Sequence, residues 1–322
     1  MPDNKIRLLH ISDIHLQHPA ALNPIPRWVS EPYNRETLYA LTELAYELRQ
    51  SYDVILLSGD IAHTASIKNL VFASRFVDSP VNDKSSNKWL NYHKEPTLSA
   101  CGKQIIIVPG NHDRFKGLSC QPGGTEFEEV FYHYWYKYNN DVQEYFIPSK
   151  EEPQLAVICV DFSLKSIYDC QRFIEGSLWG QGKVYDDKLK FLKNKTDEIR
   201  SINHCDILWM LHFAPEFPNI KNDMELIDSH KLIKAATELK VKYIFCGHTH
   251  KTSSYLAQDI QIRCNGTSAC LSKDYDTTVY LHEISISVRK VKQIRSLKYT
   301  YDNIKSKKFE PTKPQSVPVS AL

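Results

Sequence analysis

Residues 105–113 read IIIVPGNHD, a run of four β-branched residues followed at once by a turn and three polar side chains. A short, continuous apolar run of this kind is typical of a strand that is buried on both faces of a sheet. The glycine after the run permits a sharp exit that places the next side chains over the sheet edge. The segment therefore predicts a buried strand with Asn111, His112 and Asp113 at its carboxyl end.

Similar apolar runs recur along the chain and alternate with helical patterns. Further runs of strand length occupy residues 6–11, 54–57, 155–160, 207–211 and 243–246. Apolar residues at helical spacing mark residues 34–51, 66–77, 186–202 and 229–240. Because strands alternate with helices, the pattern predicts a layered α/β fold. After residue 250 the pattern changes to strands alone, expected near 260–264, 279–287 and 291–299.

Polar side chains follow five of the six strand-like runs before residue 250. In an open α/β sheet the carboxyl ends of the strands meet at one edge, so these side chains are expected to become neighbours. Asp13 and His15 are two residues apart, a spacing that places both on one side of an extended chain. His248 and His250 share the spacing, although a turn there would divide them between two ions. The seven candidate metal ligands are Asp13, His15, Asp60, Asn111, His212, His248 and His250.

The chemistry of these seven donors indicates a pair of metal ions. All are nitrogen or oxygen donors and none is sulfur, which favours Mn, Fe, Zn or Co over a cysteine-bound structural zinc. If Asp60 bridges the pair, each ion receives four protein ligands. Two ions about 3.5–4 Å apart generate hydroxide near neutral pH and clamp the oxygens of an in-line displacement at phosphorus. The residues therefore predict a binuclear centre that acts on an anionic phosphate ester.

Five sequence blocks carry a family resemblance: DIH at 13–15, GD at 59–60, GNHD at 110–113, a histidine at 212 and GHTH at 247–250. In this order, and after these strands, they resemble the calcineurin-like metallophosphoesterase superfamily over residues 7–250. The resemblance implies an α/β fold in four layers (αββα), with two facing mixed β-sheets flanked by helices and the site at one edge. It implies two ligand sets that share one residue: Asp13, His15, Asp60 and His250 at one ion, and Asp60, Asn111, His212 and His248 at the other.

The resemblance also implies roles for the residues of the GNHD block. His112 would donate a proton to the leaving oxygen or stabilise charge on the phosphoryl group, and Asp113 would orient that imidazole. Arg114 follows directly, and its guanidinium suits either a contact with a phosphate oxygen or a surface salt bridge. His10 and His63 flank other blocks without matching a ligand position, and both are interpreted as supporting or structural residues.

The opening RLLHISDIHL at residues 7–16 and the GNHD block look most like the class III cyclic nucleotide phosphodiesterase branch of the superfamily. The expected function is hydrolysis of a small phosphodiester, such as a 3′,5′-cyclic nucleotide, by attack of a hydroxide that bridges the metals. A phosphomonoesterase and an SbcD-like DNA or RNA nuclease are alternatives that use the same site. A nuclease gains from a basic surface, and the net charge of +2 does not favour nucleic acid as a partner. A non-catalytic binding scaffold on the same fold is an alternative of a different class.

The chain is expected to form a single calcineurin-like domain over residues 1–304. Two segments interrupt the pattern, a polar insertion at 78–102 and an aromatic insertion at 117–148. The aromatic residues of 127–146 predict either an amphipathic helix packed on the domain or a cap that stacks on a nucleobase. Residues 305–322 are rich in Lys, Pro and Ser and are expected to form a mobile C-terminal tail.

Composition and targeting signals limit the remaining classes. With 42% hydrophobic and 24% charged residues, the chain has the composition of a soluble globular protein. No stretch approaches the ~18 consecutive apolar residues of a membrane span, so no membrane partner is expected. The N-terminus lacks a secretory pattern, so the eight cysteines, none in a CxxC pair, are expected to be reduced thiols in the cytoplasm. A small phosphodiester or nucleotide is the expected partner, and no protein partner is identifiable.

Overall fold

A computed structural model of the chain describes residues 4–21, 33–78, 97–116, 122–136, 141–169, 180–218, 224–287 and 290–312. The strands in these ranges are β1 (Asn4–Ile11), β2 (Val54–Leu57), β3 (Gln104–Ile107), β4 (Val142–Ile147), β5 (Leu155–Val160), β6 (Gly182–Lys183), β7 (Asp206–Leu211), β8 (Leu226–Ile227), β9 (Tyr243–Cys246), β10 (Ser253–Ala257), β11 (Ile260–Cys264), β12 (Thr278–Ser287), β13 (Lys290–Tyr301) and β14 (Phe309–Pro311). The α-helices are α1 (Arg35–Glu47), α2 (Ile67–Val77), α3 (Glu126–Val130), α4 (Asp186–Asn203) and α5 (Ser229–Glu238).

Two mixed six-stranded sheets form the centre of the fold. The first has the strand order β14-β13-β12-β1-β2-β3 and the second has the order β10-β11-β9-β7-β5-β4. In the first sheet β1, β2 and β3 are parallel, whereas β12 runs antiparallel to β1. In the second sheet β5, β7, β9 and β11 are parallel, and the edge strands β4 and β10 are antiparallel to their neighbours. The parallel strands are the apolar runs of the sequence, as expected for strands covered on both faces.

The side chains of β5 show how the layers are stacked. Val157 and Cys159 belong to the apolar cluster shared with the first sheet, whereas Ala156 and Ile158 belong to the cluster shared with α4 and α5. Neighbouring residues of a strand point to opposite faces, so β5 is covered by a sheet on one side and by helices on the other. Helices α1 and α2 contribute side chains to the first cluster. The predicted α/β fold with two mixed sheets flanked by helices is confirmed.

Helices α1 and α2 start at polar caps that the sequence supplies. The Asn34 side chain accepts a hydrogen bond from the Thr37 N–H at 3.1 Å, and the Ser66 side chain accepts one from the Asn69 N–H at 3.4 Å. These contacts satisfy N–H groups that have no partner within a first helical turn. Among the described helices, none combines the length and apolarity needed to cross a membrane.

The aromatic insertion matches the predicted helix packed on the domain only over its first residues. The helix within it is short and ends at Val130, and residues 142–147 form β4, which pairs antiparallel with β5. Phe127, Phe131 and Trp135 are buried in the core shared by the two sheets. These rings are therefore core residues, and residues 142–147 complete the second sheet instead of forming a cap. Residues 117–121 and 137–140 of the insertion, and 79–96 of the polar insertion, lie outside the described residues.

The start of the predicted tail is also different in the structure. Phe309–Pro311 forms β14, which pairs with β13, and Phe309 is buried against Tyr301 with ring centroids 5.5 Å apart. The prediction of a mobile tail is therefore wrong for residues 309–311, because an aromatic side chain anchors this stretch to the first sheet. Residues 313–322 lie outside the described residues.

Candidate metal centre

The loops after β1, β2, β3, β7 and β9 meet at one edge of the two sheets. All seven predicted ligands are buried there, and the least buried of them, His250, is only 8% exposed. Neighbouring parallel strands end at the same edge of a sheet, so these ligands lie close together although they are far apart in sequence. The donor atoms of six of them form two groups, each with donors within 4.8 Å of one another: Asp13, His15 and His250, and Asp60, His212 and His248.

The first group contains one carboxylate and two imidazoles. The Nε2 atoms of His15 and His250 are 3.0 Å apart, and Nε2 of His250 is 3.3 Å from Oδ1 of Asp13. The other carboxylate oxygen of Asp13 accepts hydrogen bonds from the Ser12 hydroxyl and from the His248 N–H. One oxygen of Asp13 is thus held by the protein, and the other faces the imidazoles.

The second group is centred on Asp60. Its Oδ2 atom is 3.1 Å from Nε2 of His212 and 3.9 Å from Nε2 of His15 in the first group. Nε2 of His212 is also 3.2 Å from Nδ1 of His248 and 3.1 Å from Oδ1 of Asn111. Asp60 therefore lies between the two groups, in the position of a residue that could serve both.

The backbone at five of these ligands adopts the left-handed conformation. Their φ angles are positive, at 52° for Asp13, 55° for His15, 51° for Asp60, 72° for His248 and 52° for His250. A non-glycine residue in this region costs roughly 1–3 kcal/mol and persists where the surroundings enforce it, which is common at functional sites. The chain at these ligands is therefore not extended, and the prediction that extended backbone places Asp13 and His15 on one side is wrong.

Pairing between the exits of β1 and β2 holds this backbone in place. The Asp13 N–H donates to the Gly59 carbonyl at 3.1 Å, and the His15 N–H donates to the Asp60 carbonyl at 2.9 Å. Asp13 and His15 lie in one group as expected, but a turn brings them there. The equal spacing at His248 and His250 leads to the opposite result, because that turn divides the two between the groups.

Two glycines allow the loops to approach this closely. A Cβ atom at Gly110 would overlap the Asp60 carboxylate, and a Cβ at Gly247 would overlap the side chains of Ser12 and Asp13. The close approach of backbone to ligand side chains therefore requires a residue without a side chain at both positions.

Burial and the charges within the site together set the protonation of its histidines. Burial, followed by the neighbouring His212, lowers the pKa of His248 to about 3. Burial and the neighbouring His112 hold the pKa of His15 well below its ordinary value. Burial would also lower the pKa of His212, but the Asp60 carboxylate outweighs it and raises the pKa to about 10. Burial opposes ionisation of Asp60, yet His212 and His112 hold its pKa well below 3.8.

These observations fit a site for cations. His15 and His248 are neutral near pH 7, so their ring nitrogens can offer lone pairs, and Asp60 offers negative charge. The buried Oδ1 atom of Asp13 has no hydrogen-bond partner among the described residues. Crowded acceptors of this kind repel one another unless a positive charge lies between them. Imidazole and carboxylate donors suit first-row transition ions such as Mn, Fe, Co and Zn.

The sequence matches a known family over the same region. A profile of the family described as calcineurin-like phosphoesterase matches residues 6–252, about three quarters of the chain. The chain belongs to the calcineurin-like phosphoesterase family. The match includes both groups of donors, from Asp13 to His250, and the family depends on a pair of metal ions. The chain is thus assigned to a family of metal-dependent phosphoester hydrolases.

Solved structures show the same fold at low sequence identity. A dimetal phosphatase from Danio rerio matches with a TM-score of 0.52 and 12% identity, covering 92% of this chain and 99% of that chain. A purple acid phosphatase from yellow lupin (Lupinus luteus) seeds matches with a TM-score of 0.51 and 11% identity, covering 93% of this chain but 52% of that chain. This phosphoesterase thus spans about half the length of the lupin enzyme. No curated protein matches the sequence.

His112 of this calcineurin-like phosphoesterase lies beside the first group of donors. Its ring is 4.5 Å from the His15 ring, nearly perpendicular to it. Its Nδ1 atom is 2.8 Å from the His63 carbonyl oxygen, which can only accept, so Nδ1 carries the proton and donates. Its backbone N–H donates to Oδ1 of Asp60 at 2.8 Å. The structure thus fixes both the position and the tautomer of this imidazole and leaves Nε2 for a ligand.

Asp113 does not orient His112 as the family resemblance implied. Its carboxylate instead accepts hydrogen bonds from the N–H groups of Ile61 at 3.2 Å, Ala62 at 2.8 Å and Gly110 at 2.9 Å. Burial, followed by the charge of Asp60, raises the pKa of Asp113 to about 7. Asp113 therefore ties the turn after β3 to the turn after β2, and the His63 carbonyl orients the imidazole.

Arg114 is engaged by carboxylates and lies in the interior. Its Nη1 atom is 2.6 Å from Oε1 of Glu128, and its Nε atom is 2.8 Å from Oδ2 of Asp161. Nη1 also donates to the Gly124 carbonyl at 3.0 Å. The side chain is 6% exposed, so neither the predicted phosphate contact nor a surface salt bridge describes it. A guanidinium that neutralises two buried carboxylates has no net charge left for a phosphate.

His63, predicted from the sequence to be a supporting or structural residue, is buried beside the site. Its two ring nitrogens have no hydrogen-bond partner among the described residues, and its donor atoms group with those of His15 and His112. Burial, followed by the neighbouring His112, lowers the pKa of His63 to about 3, so the ring is neutral. Its position three residues after Asp60, in the same turn, is the sequence signal that could have identified it.

Proposed function

We propose that this phosphoesterase is a binuclear enzyme that hydrolyses a small phosphodiester, with 3′,5′-cyclic nucleotides among the candidates. The observation that carries the proposal is the position of Asp60, whose Oδ2 atom lies 3.1 Å from one imidazole group and 3.9 Å from the other. A carboxylate shared in this way can bridge two ions. The proposed ligand sets are Asp13, His15, Asp60 and His250 for one ion and Asp60, Asn111, His212 and His248 for the other.

Two ions of Mn, Fe, Zn or Co would supply Lewis acidity to the phosphoryl oxygens and activate water as the nucleophile. The protein's own residues hold the donors in register. The His212 Nδ1–H donates to the Ser58 carbonyl at 2.8 Å, which turns Nε2 toward Asp60. Hydrogen bonds of this type fix the tautomer and orientation of a metal-binding imidazole.

His112 is the proposed proton donor to the leaving oxygen. Its Nδ1–H is held by the His63 carbonyl, so a second proton would reside on Nε2, the atom that is free to face a substrate. Burial lowers the pKa of His112, which makes this second proton more acidic than that of an exposed histidine. Hydrolysis of an alkyl phosphodiester breaks one P–O bond and releases an alkoxide, which a donated proton converts to the alcohol. The neutral ring of His63 lies beside it and would add apolar bulk and a further hydrogen-bonding atom to this side of the site.

The state of Arg114 supports a diester over a monoester. A phosphomonoester is a dianion near neutral pH and gains from a cationic side chain, whereas a diester carries a single negative charge. Arg114 directly follows the GNHD block, but its charge is neutralised by Glu128 and Asp161. The proposed ions would therefore bind the single negative charge of a diester, and this guanidinium would not contribute to binding the substrate.

A panel assay tests the proposed reaction. Manganese-loaded protein is expected to hydrolyse bis-p-nitrophenyl phosphate or cyclic AMP faster than p-nitrophenyl phosphate or single-stranded DNA. Asp60→Asn should abolish turnover and metal retention, and the matched variant Asp259→Asn, in the exposed β10–β11 turn, should change neither. Preferred cleavage of DNA would replace the proposal with a nuclease, and preferred cleavage of p-nitrophenyl phosphate would replace it with a phosphomonoesterase. Full activity in Asp60→Asn would show that no binuclear centre operates.

A further inference from the structure

A groove of about 650 Å³ begins beside the candidate metal centre. One wall is the start of β10 with Thr252, and a second is the loop of residues 271–278 with Lys273 and Tyr275. The third wall is formed by β12 and β13, which contribute Tyr280 and Lys298. A volume of this size is in the range of small-ligand sites.

Tyr275 joins the groove to the first group of donors. Its ring lies 4.3 Å from the His250 ring at an angle of 76°, and Nε2 of His250 is 3.3 Å from Asp13. The Asp276 N–H donates to the His250 carbonyl at 2.9 Å, which fixes the loop against the metal-binding turn. A substrate whose phosphorus lies at the metal centre would therefore reach the groove with its next chemical group.

Hydrogen bonds between the walls make the groove a built feature. The Asp276 carboxylate accepts from the Thr252 N–H at 2.8 Å, and the Thr252 and Thr278 hydroxyls are 3.0 Å apart. The Thr278 hydroxyl in turn donates to Oδ1 of Asn265 at 3.0 Å. These contacts join the start of β10 to the 271–278 loop, so the walls do not need a ligand to order them.

The lining combines two lysines, the Asp276 carboxylate that is held by the Thr252 N–H, aromatic rings and hydroxyl groups. Within the described residues neither Lys273 nor Lys298 forms an ion pair, and the Oγ1 atom of Thr300 is buried without a hydrogen-bond partner. Tyr275 and Tyr280 add aromatic rings to the lining, and the Tyr280 ring stacks on His282 with centroids 5.2 Å apart. Lysines contact phosphates as point charges, and tyrosine rings stack on nucleobases. The groove thus offers the groups that bind one nucleotide.

We infer that this groove holds a second nucleotide of the substrate, next to the scissile phosphate. Its base would stack on Tyr275 or Tyr280, and its own phosphate would lie between Lys273 and Lys298. The inference rests on the proposed function and narrows the small phosphodiester to one with two nucleotides. A cyclic mononucleotide has a single phosphate and would leave both lysines without a partner.

Two phosphodiesters, one without and one with nucleotides, test the groove. Bis-p-nitrophenyl phosphate has no nucleotide, whereas the 5′-phosphorylated thymidine dinucleotide pTpT has two phosphates and two bases. The ratio of kcat/KM for pTpT to that for bis-p-nitrophenyl phosphate should fall about tenfold in Lys298→Glu. Lys292→Glu, an exposed change on the same strand outside the groove, should keep the wild-type ratio. Equal ratios in Lys298→Glu and wild type would overturn the inference.

A second readout separates this inference from the proposed reaction. Calorimetric titration with pTpT in the presence of EDTA measures binding without turnover. Weaker binding by Lys298→Glu and by Tyr275→Ala than by Lys292→Glu would support the groove even if the protein hydrolysed no diester. Binding that is the same in all three variants would reject the groove even if diester hydrolysis were established.

Discussion

The Nε2 atoms of His15 and His250 lie 3.0 Å apart, although both rings are buried. Burial is the largest influence that lowers the pKa of His15, so its imidazole is neutral near pH 7. Two facing ring nitrogens satisfy each other only if one of them carries a proton, and a cation between them satisfies both. Asp13 and Asp60 supply the negative charge that such a cation needs.

Metal binding should therefore stabilise the fold. A metal present at 100 times its Kd adds about 2.7 kcal/mol to the free energy of unfolding, because only the folded chain assembles the donors. We expect the melting temperature of EDTA-treated protein to rise by several degrees when MnCl₂ is added. Asp60→Asn should lose this rise, and Asp259→Asn should retain it. If MnCl₂ left the melting temperature of the wild-type protein unchanged, this result would contradict the binuclear site.

His112 should affect the chemical step and spare the metals. His112→Asn removes the proposed proton donor but none of the seven proposed ligands, so kcat should fall by about 10²–10⁴-fold with unchanged metal content by elemental analysis. His133→Asn, a change at an exposed histidine, serves as the control. If metal content falls together with kcat, His112 is a ligand and its proposed role is incorrect.

Asp113 should matter for stability, since it accepts three backbone hydrogen bonds in the interior. Asp113→Ala leaves those N–H groups buried without an acceptor, and the expected cost is about 3 kcal/mol or more in the free energy of unfolding. Asp113→Asn keeps one acceptor oxygen and should cost less. Urea denaturation measures both. A loss of kcat in Asp113→Ala with an unchanged free energy of unfolding would restore the role of orienting His112.

Arg114 should also act on stability. Removal of one member of a buried ion pair leaves uncompensated charge, so Arg114→Leu should lower the free energy of unfolding by about 3–5 kcal/mol. Lys116, two residues after Arg114, forms a partly exposed ion pair with Glu126. Lys116→Leu should therefore lower the free energy of unfolding by about 1 kcal/mol or less. If Arg114 instead contacted the substrate phosphate, Arg114→Leu would raise KM for the diester and leave the free energy of unfolding unchanged.

Acid should destabilise the protein through buried neutral histidines, of which His10 is a clear example. His10 accepts or donates at 2.8 Å to the Ser58 hydroxyl between the two sheets, and burial lowers its pKa from 6.5 to about 3. Between pH 3 and pH 6.5 the unfolded chain binds more protons at His10 than the folded chain does. The contribution of His10 to the free energy of unfolding is therefore complete above pH 6.5 and is lost as the pH falls below it. At pH 5 the titration of His10 is expected to lower the free energy of unfolding by about 2 kcal/mol relative to pH 7.

Denaturation at pH 7 and pH 5 checks this sign and size. His10→Asn should lose less stability between the two pH values than the wild-type protein does, by about 2 kcal/mol. His230→Asn, at an exposed histidine of α5, should show the wild-type pH dependence. A pH dependence that is the same in His10→Asn and wild type would show that His10 is not held neutral by the fold.

Much of the fold could be predicted from local pattern. The apolar runs at 54–57, 155–160 and 243–246 are strands with the predicted bounds, because a strand covered on both faces needs an unbroken apolar sequence. Residues 142–147 were not predicted as a strand, since β4 lies at a sheet edge and most of its side chains are only partly buried. An edge strand with partly exposed side chains does not need the continuous apolar sequence that a central strand needs.

The sequence by itself determined that strands alternate with helices and that Asp, His and Asn residues follow five of the strands, because both features are local. Only the tertiary structure decided what each of these residues contacts. It oriented His112 through the carbonyl of His63 and paired Arg114 with Glu128 and Asp161. These outcomes depend on contacts between segments that are distant in sequence, and residue type and spacing do not specify such contacts.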